Sequence, residues 1–287
     1  MADLAIIIVN WRVRPLVEKC LNSILANSEG LDLQILLVDN DSCDGTPEMV
    51  AVEYPQVTMI SLAHNIGFAK ANNLALKQAR ARYYLLLNPD TEITPGFFSK
   101  AIEYMDKHPE VGIVGPKIIN PDGSNQLSVS RFPDLTSQIM VLLKLKNILV
   151  NNKFLAHYLF KDFDYNREQT VEQIMGAAML LRPEIFQKIG NFDEKFFVWF
   201  EEVDLCRRAK KNKIDIRFVP SLSVIHYGGE SFSQRNMLRR QWIFNKSLFY
   251  YFVKHKPFWQ WLIILLVIPI NLFLTLAYVI WLKHQDE

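Results

Sequence analysis

Cysteine is scarce in this chain and follows no pattern. Its three cysteines, Cys20, Cys43 and Cys206, lie far apart, and no Cys-x-x-Cys occurs. That excludes a disulfide framework and a cysteine zinc site, and it fits reduced thiols in a reducing compartment. Excess charge is missing too. The 32 Lys and Arg against 30 Asp and Glu leave a net +2, so no global basic field advertises nucleic-acid binding. No G-x-G-x-x-G follows the first apolar run and no G-x-x-x-x-G-K-[ST] occurs anywhere. This argues against a dinucleotide site and a P-loop ATP site. There is no internal repeat and no low-complexity tract. The first apolar run, Leu4–Val9, is short and follows Asp3 where a secretory signal has a basic stretch. It reads as a buried strand.

The last absence is local. Phe258–Leu282 holds no charged residue, and about 20 apolar residues suffice to cross a bilayer. Trp259 and Trp261 stand at one end, Tyr278 and Trp281 at the other, as in an interfacial aromatic belt. Lys254, His255 and Lys256 precede the segment; Lys283 and His284 follow it. Pro269 and Asn271 interrupt its middle, which membrane helices tolerate. The expectation is one membrane-spanning helix at 258–282. A buried core helix and a hairpin broken at Pro269 are the alternatives.

What remains is a chain of 287 residues, 50% hydrophobic, long enough for one large domain and an appendage. Apolar runs at Leu4–Val9, Leu33–Val38, Val57–Leu62, Tyr83–Leu87 and Val111–Val114 alternate with helical stripes at Arg14–Ala26, from Thr46, at Phe68–Ala81 and from Thr94-Pro95 to Lys107. Runs apolar on both faces, separated by helices, predict a parallel α/β sheet. Thr94 is expected to cap its helix, with Pro95 at the first helical position. Ser137–Phe160 carries Lys144, Lys146 and Lys153 among apolar residues. It reads either as a basic amphipathic surface on a membrane or as a core-facing helix with a solvated face. A second block follows from Glu172: Ile174–Leu181, a helix from Pro183 to Ile189, Phe192–Asp204, Ile216–Tyr227, and a long aromatic and basic helix over Arg235–His255.

Chemistry-bearing residues gather where these runs end. Tyr83–Leu87 runs into Asn88-Pro89-Asp90-Thr91. Pro89 ends the strand because it has no N–H to donate. Asp90 is left at the carboxyl edge of a central strand, where open α/β sheets bind ligands. A carboxylate there suits a divalent cation held against a diphosphate; an Asn-Pro-Asp turn is the plainer alternative. Asp39 and Asp41 end the second strand. An Asp there can accept from the imide of uracil or thymine, or reach a ribose hydroxyl, or simply belong to a turn. Asn65 and Gly67 turn into a helix whose first turns carry Lys70 and Asn72, and a helix N-terminus offers N–H groups to a phosphate or ribose. Glu201 and Glu202 follow the apolar wall Phe196–Phe200. Such a wall raises a carboxyl pKa and suits a general base; an acidic helix start is the alternative. His226 ends a late apolar run before a Gly-rich loop, and becomes a ligand candidate only if it meets Asp90.

Val9-Asn10-Trp11, Asp39-Asn40-Asp41-Ser42, Asn65 to Asn72, Leu87-Asn88-Pro89-Asp90, Gly176-Ala177-Ala178-Met179, Phe200-Glu201-Glu202-Val203-Asp204-Leu205-Cys206-Arg207 and His226-Gly228-Ser231 occur in that order. Together they resemble the inverting family 2 glycosyltransferases of the GT-A fold, nearest in look to the bacterial rhamnosyltransferase-like branch that builds cell-surface polysaccharide. The likeness covers about residues 3–245. It implies an α/β GT-A nucleotide-diphospho-sugar transferase fold over 1–245, with a nucleotide-sugar half at 1–116 and an acceptor half at 117–245. Residues 246–287 are then a membrane anchor.

Carried over by residue, the resemblance implies that Asp39 holds the nucleotide base, and that Asn65 and Gly67 line its pocket. Asn10, Arg12, Asp41, Lys70 and Asn88 would complete the donor side. Asp90 and His226 would bind Mn²⁺ or Mg²⁺. Glu202 would deprotonate the acceptor hydroxyl with Glu201 beside it, and Gly176 and Ala177 would let the acceptor come close to the backbone. The family's Asp-x-Asp is here Asn88-Pro89-Asp90, and its Glu-Asp is Glu201-Glu202. The implied partners are a dTDP- or UDP-sugar, a lipid-linked or polysaccharide acceptor and a membrane. The implied place is the cytoplasmic face of the inner membrane, which Lys254 and Lys256 also favour. Two other readings remain. A sugar-phosphate nucleotidyltransferase lacks its Gly-rich loop here, since Asn10-Trp11-Arg12-Val13-Arg14 stands in its place. A non-catalytic sugar-nucleotide binder or membrane scaffold is motivated by Asn88.

Overall fold

The computed structural model describes residues 1–28, 30–145, 148, 152–229 and 236–283. Lys146, Ser231, Arg235 and His284, used above, lie outside these residues. Among them one mixed sheet forms the spine. Strands β1 (Ala2–Asn10), β2 (Leu33–Asp39), β3 (Val57–Ser61) and β4 (Ala81–Leu87) pair in parallel in the order β3-β2-β1-β4. Helices α1 (Arg14–Ala26), α2 (Thr46–Glu53) and α3 (Phe68–Gln78) make the crossovers. Side chains alternate across each strand, so Leu4, Ile6 and Ile8 enter one core and Ala5, Ile7 and Val9 the other. This double burial is why the strands read as unbroken apolar runs.

The sheet continues through a reversal. After β5 (Thr91–Ile93), α4 (Phe97–Lys107), β6 (Val111–Ile119), β7 (Val129–Ser130), α5 (Leu135–Leu142), α6 (Lys153–Tyr158), β8 (Gln169–Thr170) and β9 (Gln173–Ile174) comes β10 (Ala178–Leu181). β10 slots antiparallel between β4 and β6, with Leu180 opposite Leu85 and Val114. α7 (Ile185–Ile189), α8 (Glu201–Lys211), β11 (Asp215–His226), α9 (Met237–His255) and α10 (Phe258–Lys283) complete the chain. β11 runs parallel to β6 and antiparallel to β5. The sheet is therefore mostly, not wholly, parallel.

Three local expectations change. Thr94 does not cap α4: its hydroxyl donates to the Ser223 carbonyl at 2.6 Å, and the helix starts after Gly96 at φ +74°. Within 137–160 the described residues hold two short helices, α5 and α6, each with its own cap. Asp134 accepts from Ser137 N, and Asn152 from Phe154 N and Leu155 N. α10 is one continuous helix through Pro269, so the chain makes no hairpin there.

Candidate active site

The site forms where β1, β2, β4 and β11 end on one edge. Its donor side is braced by amides. Asn10 is fully buried, and its Nδ2 lies 2.9 Å from Asp39 Oδ1, 2.9 Å from Ser42 Oγ and 3.1 Å from Thr46 Oγ1. Asn10 therefore positions Asp39, and its own Oδ1 is buried without a hydrogen-bond partner. Asp39 also accepts from Ser42 N at 3.0 Å, which leaves one lone pair free on each oxygen. Arg12 and Asp41 sit on the rim in left-handed backbone, at φ +59° and +63°, with the Arg12 guanidinium over the Trp11 ring.

Asn40 was not anticipated, although it stands inside the Asp-Asn-Asp-Ser cluster. Its Oδ1 accepts from Ile66 N and its Nδ2 donates to the Gly67 carbonyl, so it ties the second strand's end to the turn before α3. Asn65 closes that turn by accepting from Gly67 N. The N-terminus of α3 is partly spent on the protein itself: Phe68 N donates to the Phe197 carbonyl at 2.6 Å. Lys70 is exposed one turn on. Gly67 has φ +90°, and a Cβ there would stand 2.5 Å from the Phe197 oxygen and 2.8 Å from its ring. Gly67→Ala combines left-handed strain with a backbone clash. It should cost at least about 2 kcal/mol, read as a lower denaturant midpoint; unchanged stability would show that the Phe197 loop yields freely. Asn73, also not anticipated, secures the same loop by bonding both N and O of Phe192.

Asp90 and His226 do converge. β11 pairs with β5 so that His226 faces Thr91, and Tyr227 N donates to the Asp90 carbonyl. His226 Nε2 is 3.2 Å from Asp90 Oδ1, both side chains being buried. The pair is close but unaligned, and Nε2 is left without a hydrogen bond. A chain of contacts fixes the ring's tautomer. Ser124 Oγ donates to Asp122 Oδ1 at 2.6 Å, so it accepts from Asn120 Nδ2 at 2.9 Å. Asn120 Oδ1 accepts from Gln126 Nε2 at 2.8 Å. Gln126 therefore turns Oε1 toward His226 Nδ1, 2.6 Å away, and Nδ1 carries the proton. In the neutral ring, the lone pair on Nε2 then points into a buried space shared with a carboxylate. Two acceptors so placed repel unless a proton or a metal ion lies between them, and a carboxylate beside an imidazole is a donor set that can hold a divalent ion such as Mn²⁺. Among the described residues no third His, Cys, Asp or Glu joins them; such ions take their remaining oxygens from substrate phosphates and water.

Across Asn88 stands the acidic pair. Asn88 N bonds the Ala177 carbonyl at 2.9 Å, and Gly176 lies against the Glu202 side chain. Gly176 and Ala177 thus link the Asp90 corner to the start of α8. Ala177 is buried, so it serves through its carbonyl and gives an acceptor no open surface. Trp199 and Phe200 enter α8 in left-handed backbone and aim both glutamates inward. Glu201 is buried with Oε2 unpartnered. Burial, then the neighbouring Glu202, lift its pKa well above the carboxylate range. Glu202 is half-buried beside a depression lined by Ser128, Gln173 and Met175, and its Oε2 is likewise buried without a partner. Burial raises its pKa too, opposed by its own and Val203's N–H groups. Asp204 plays a different part, bonded to Arg208 and His255; it anchors α8 to α9.

Fold and site define a GT-A-like α/β enzyme. The model of glycosyl transferase family 2 matches residues 5–190, and the chain belongs to that family. It is 28% identical over 239 residues to the N-acetylglucosaminyl-diphospho-decaprenol L-rhamnosyltransferase of Mycobacterium tuberculosis, covering 79% of this chain and 77% of that relative. It is 25% identical to rhamnosyltransferase WbbL of Escherichia coli K12 over 77% of this chain and 82% of the relative. Among solved structures, TarS 1-349 of S. aureus superposes with a TM-score of 0.55 at 16% identity, over 88% of this chain and 72% of that one.

Proposed function

We propose that this protein is an inverting, cation-dependent glycosyltransferase. It moves a sugar, with rhamnose favoured, from a dTDP- or UDP-linked donor to a hydroxyl of a lipid-linked or growing cell-surface glycan. The observation that carries this reading is one continuous path: His226 and Asp90, then Asn88 bonded to Ala177, then Gly176 against Glu202. It supports a reading in which the Asp90 and His226 corner holds the diphosphate and Glu202, at the other end of the path, serves as the base. The mycobacterial relative's name supports both the rhamnosyl donor and the lipid diphosphate acceptor.

Asp39, Asn65 and Gly67 hold the nucleoside, and Asp41, Arg12, Lys70 and Asn88 stand around its ribose and phosphates. Asp90 and His226 would hold a divalent ion, which would supply positive charge to the diphosphate leaving group. Glu202 takes the proton of the acceptor hydroxyl. The freed oxygen attacks the anomeric carbon from the face opposite the diphosphate, whose C–O bond breaks. One displacement inverts the centre. The cytoplasmic face of the inner membrane is the proposed location, where nucleotide sugars and the head of a lipid-linked acceptor can meet.

A thermal-shift panel with UDP, dTDP, GDP and CMP, each with and without Mn²⁺ or Mg²⁺, tests the donor side. Stabilisation follows occupancy of the native state. Cation-dependent stabilisation by dTDP or UDP alone is the expected result. Failure of all four nucleotides would overturn it and favour a non-catalytic assembly role.

A further inference from the structure

Helix α10 is apolar enough to cross a membrane, yet its packing assigns it a different posture. Ile264, Ile268, Asn271 and Thr275 fall on one stripe and are buried against the body of the enzyme. The stripe is held at mid-helix by two hydrogen bonds. Asn271 Nδ2 donates to the Leu142 carbonyl at 2.6 Å, and Asn271 Oδ1 accepts from Asn245 Nδ2 at 2.8 Å. α9 and α10 thus form a hairpin folded at Lys256-Pro257, with Asn245 level with Asn271. Polar and charged groups stand at that same level. Gln241 donates to Asn245 Oδ1 and accepts from the Lys144 ammonium, and Lys246 follows Asn245 in the chain. Were α10 perpendicular to a bilayer, these groups would sit near its centre, where lysine is strongly unfavourable.

The opposite side of α10 is bare along its whole length. Leu262, Leu265, Leu266, Ile270, Phe273 and Leu276 face outward, with Trp259 and Trp281 exposed toward the two ends. The hairpin is also free of acid. From Met237 to Lys283 its charged residues, histidine aside, are Arg239, Arg240, Lys246, Lys254, Lys256 and Lys283, with no Asp or Glu; Lys254 is paired with Asp193 and Asp204 of the body, while Arg239 and Lys246 are exposed. An apolar face bordered by cations complements a leaflet of anionic lipid. We propose that α10 lies in the plane of one anionic leaflet. Its outward face is immersed roughly 5–10 Å deep, and the catalytic body rests on the same side as both ends of the helix. The protein is then bound to one face of the membrane and does not cross it. This posture follows from packing alone and does not depend on the catalytic reading.

The full chain, with Cys43→Ser to remove the exposed thiol, is added to vesicles of phosphatidylethanolamine and phosphatidylglycerol. Nitroxides are placed at Leu262→Cys, Leu266→Cys, Phe273→Cys and Leu276→Cys, one at a time. Oxygen and nickel-chelate accessibility then reports depth. Equal, shallow depths at all four positions are expected. A profile deepest near Ile270 and shallow at both ends would overturn the proposal. So would four labels shielded from lipid in a chain that runs at twice its mass without detergent, because a second copy would then cover the face. Membrane-impermeant maleimide gives an independent reading. Ser99→Cys, exposed on α4, and Gln285→Cys should both react in sealed vesicles. Protection of position 285 until the vesicles are lysed, with position 99 reactive, would show a crossing.

Discussion

Glu202→Gln is expected to lower sugar transfer by roughly 10²–10⁴-fold, the usual weight of a general base, while nucleotide binding stays at the wild-type level. The base must carry charge before it can take a proton, and two adjacent carboxylates in a dry wall do not ionise equally. Glu201 lies deeper, and its pKa is lifted well above the usual range by burial and then by Glu202. Glu202 opens on the depression beside Ser128 and keeps help from the N–H groups at the start of α8. The stronger upward shift at Glu201 leaves Glu202 the better placed of the two to act as the base. Glu201→Gln keeps the shape of the side chain and should keep activity within about an order of magnitude. Because the Glu202 pKa is raised, kcat/KM should climb with pH on an acidic limb above the ordinary carboxylate range; Glu202→Gln should lose that limb. The stability sign runs the other way for Glu201. A group with a raised folded pKa contributes fully below its unfolded pKa, and that contribution is lost as pH rises through the folded one. Glu201→Gln should therefore gain Tm relative to wild type toward alkaline pH. Near-wild-type turnover in Glu202→Gln would remove the base assignment, and loss of transfer in Glu201→Gln alone would exchange the two roles.

Much of this was legible in the chain because burial on two faces leaves a plain trace. β1, β2 and β4 are apolar through their buried middles, turning polar only at the ends that carry Asn10 and Asp39, and Pro89 marks where the central strand must stop. α1 matches its apolar stripe from Arg14 to Ala26. The direction of β10 was not legible, since four apolar residues look the same whichever way they run. Nor were the braces of the site. Asn40, Asn73 and Gln126 are polar residues in turn-rich or helical surroundings, and their partners lie far along the chain: Gln126 meets a histidine 100 positions away. A side chain that acts by holding another has no local pattern to betray it. For the same reason Asn10 and Ala177 read as ligand contacts from their place in ordered motifs, and the bonds each makes to its neighbours do not show there. The apolar tail was legible as a helix and not as a posture, because hydropathy is blind to the one asparagine that fastens its middle to the enzyme.

Asp90→Ala should abolish the cation-dependent part of nucleotide binding. A nucleotide at 100 times its Kd stabilises the native state by about 2.7 kcal/mol, and the variant should show none of the cation-dependent share of that gain. Asp90 is the remaining carboxylate where the family pattern has two, and Asn88 cannot replace it with charge. Unchanged binding would end the metal role of this corner. Gln126 gives a subtler test of the same site. Its Oε1 holds the proton on His226 Nδ1 and so presents the Nε2 lone pair toward Asp90. Gln126→Leu removes the acceptor. The proton is then free to move to Nε2, where Asp90 attracts it, and the lone pair that would meet a cation is lost. Mn²⁺ affinity, followed by the paramagnetic signal of the free ion without any turnover, should fall about 10–100-fold. Gln126→Glu restores an acceptor at Nδ1 and should recover most of it. Nitrogen NMR of His226 should show Nε2 unprotonated in wild type and Gln126→Glu, and protonated in Gln126→Leu. If Gln126→Leu kept both the tautomer and the affinity, the chain from Asp122 through Ser124 and Asn120 would be a surface turn with no bearing on the site. If affinity fell while the tautomer held, Gln126 would act by packing and not by steering the proton.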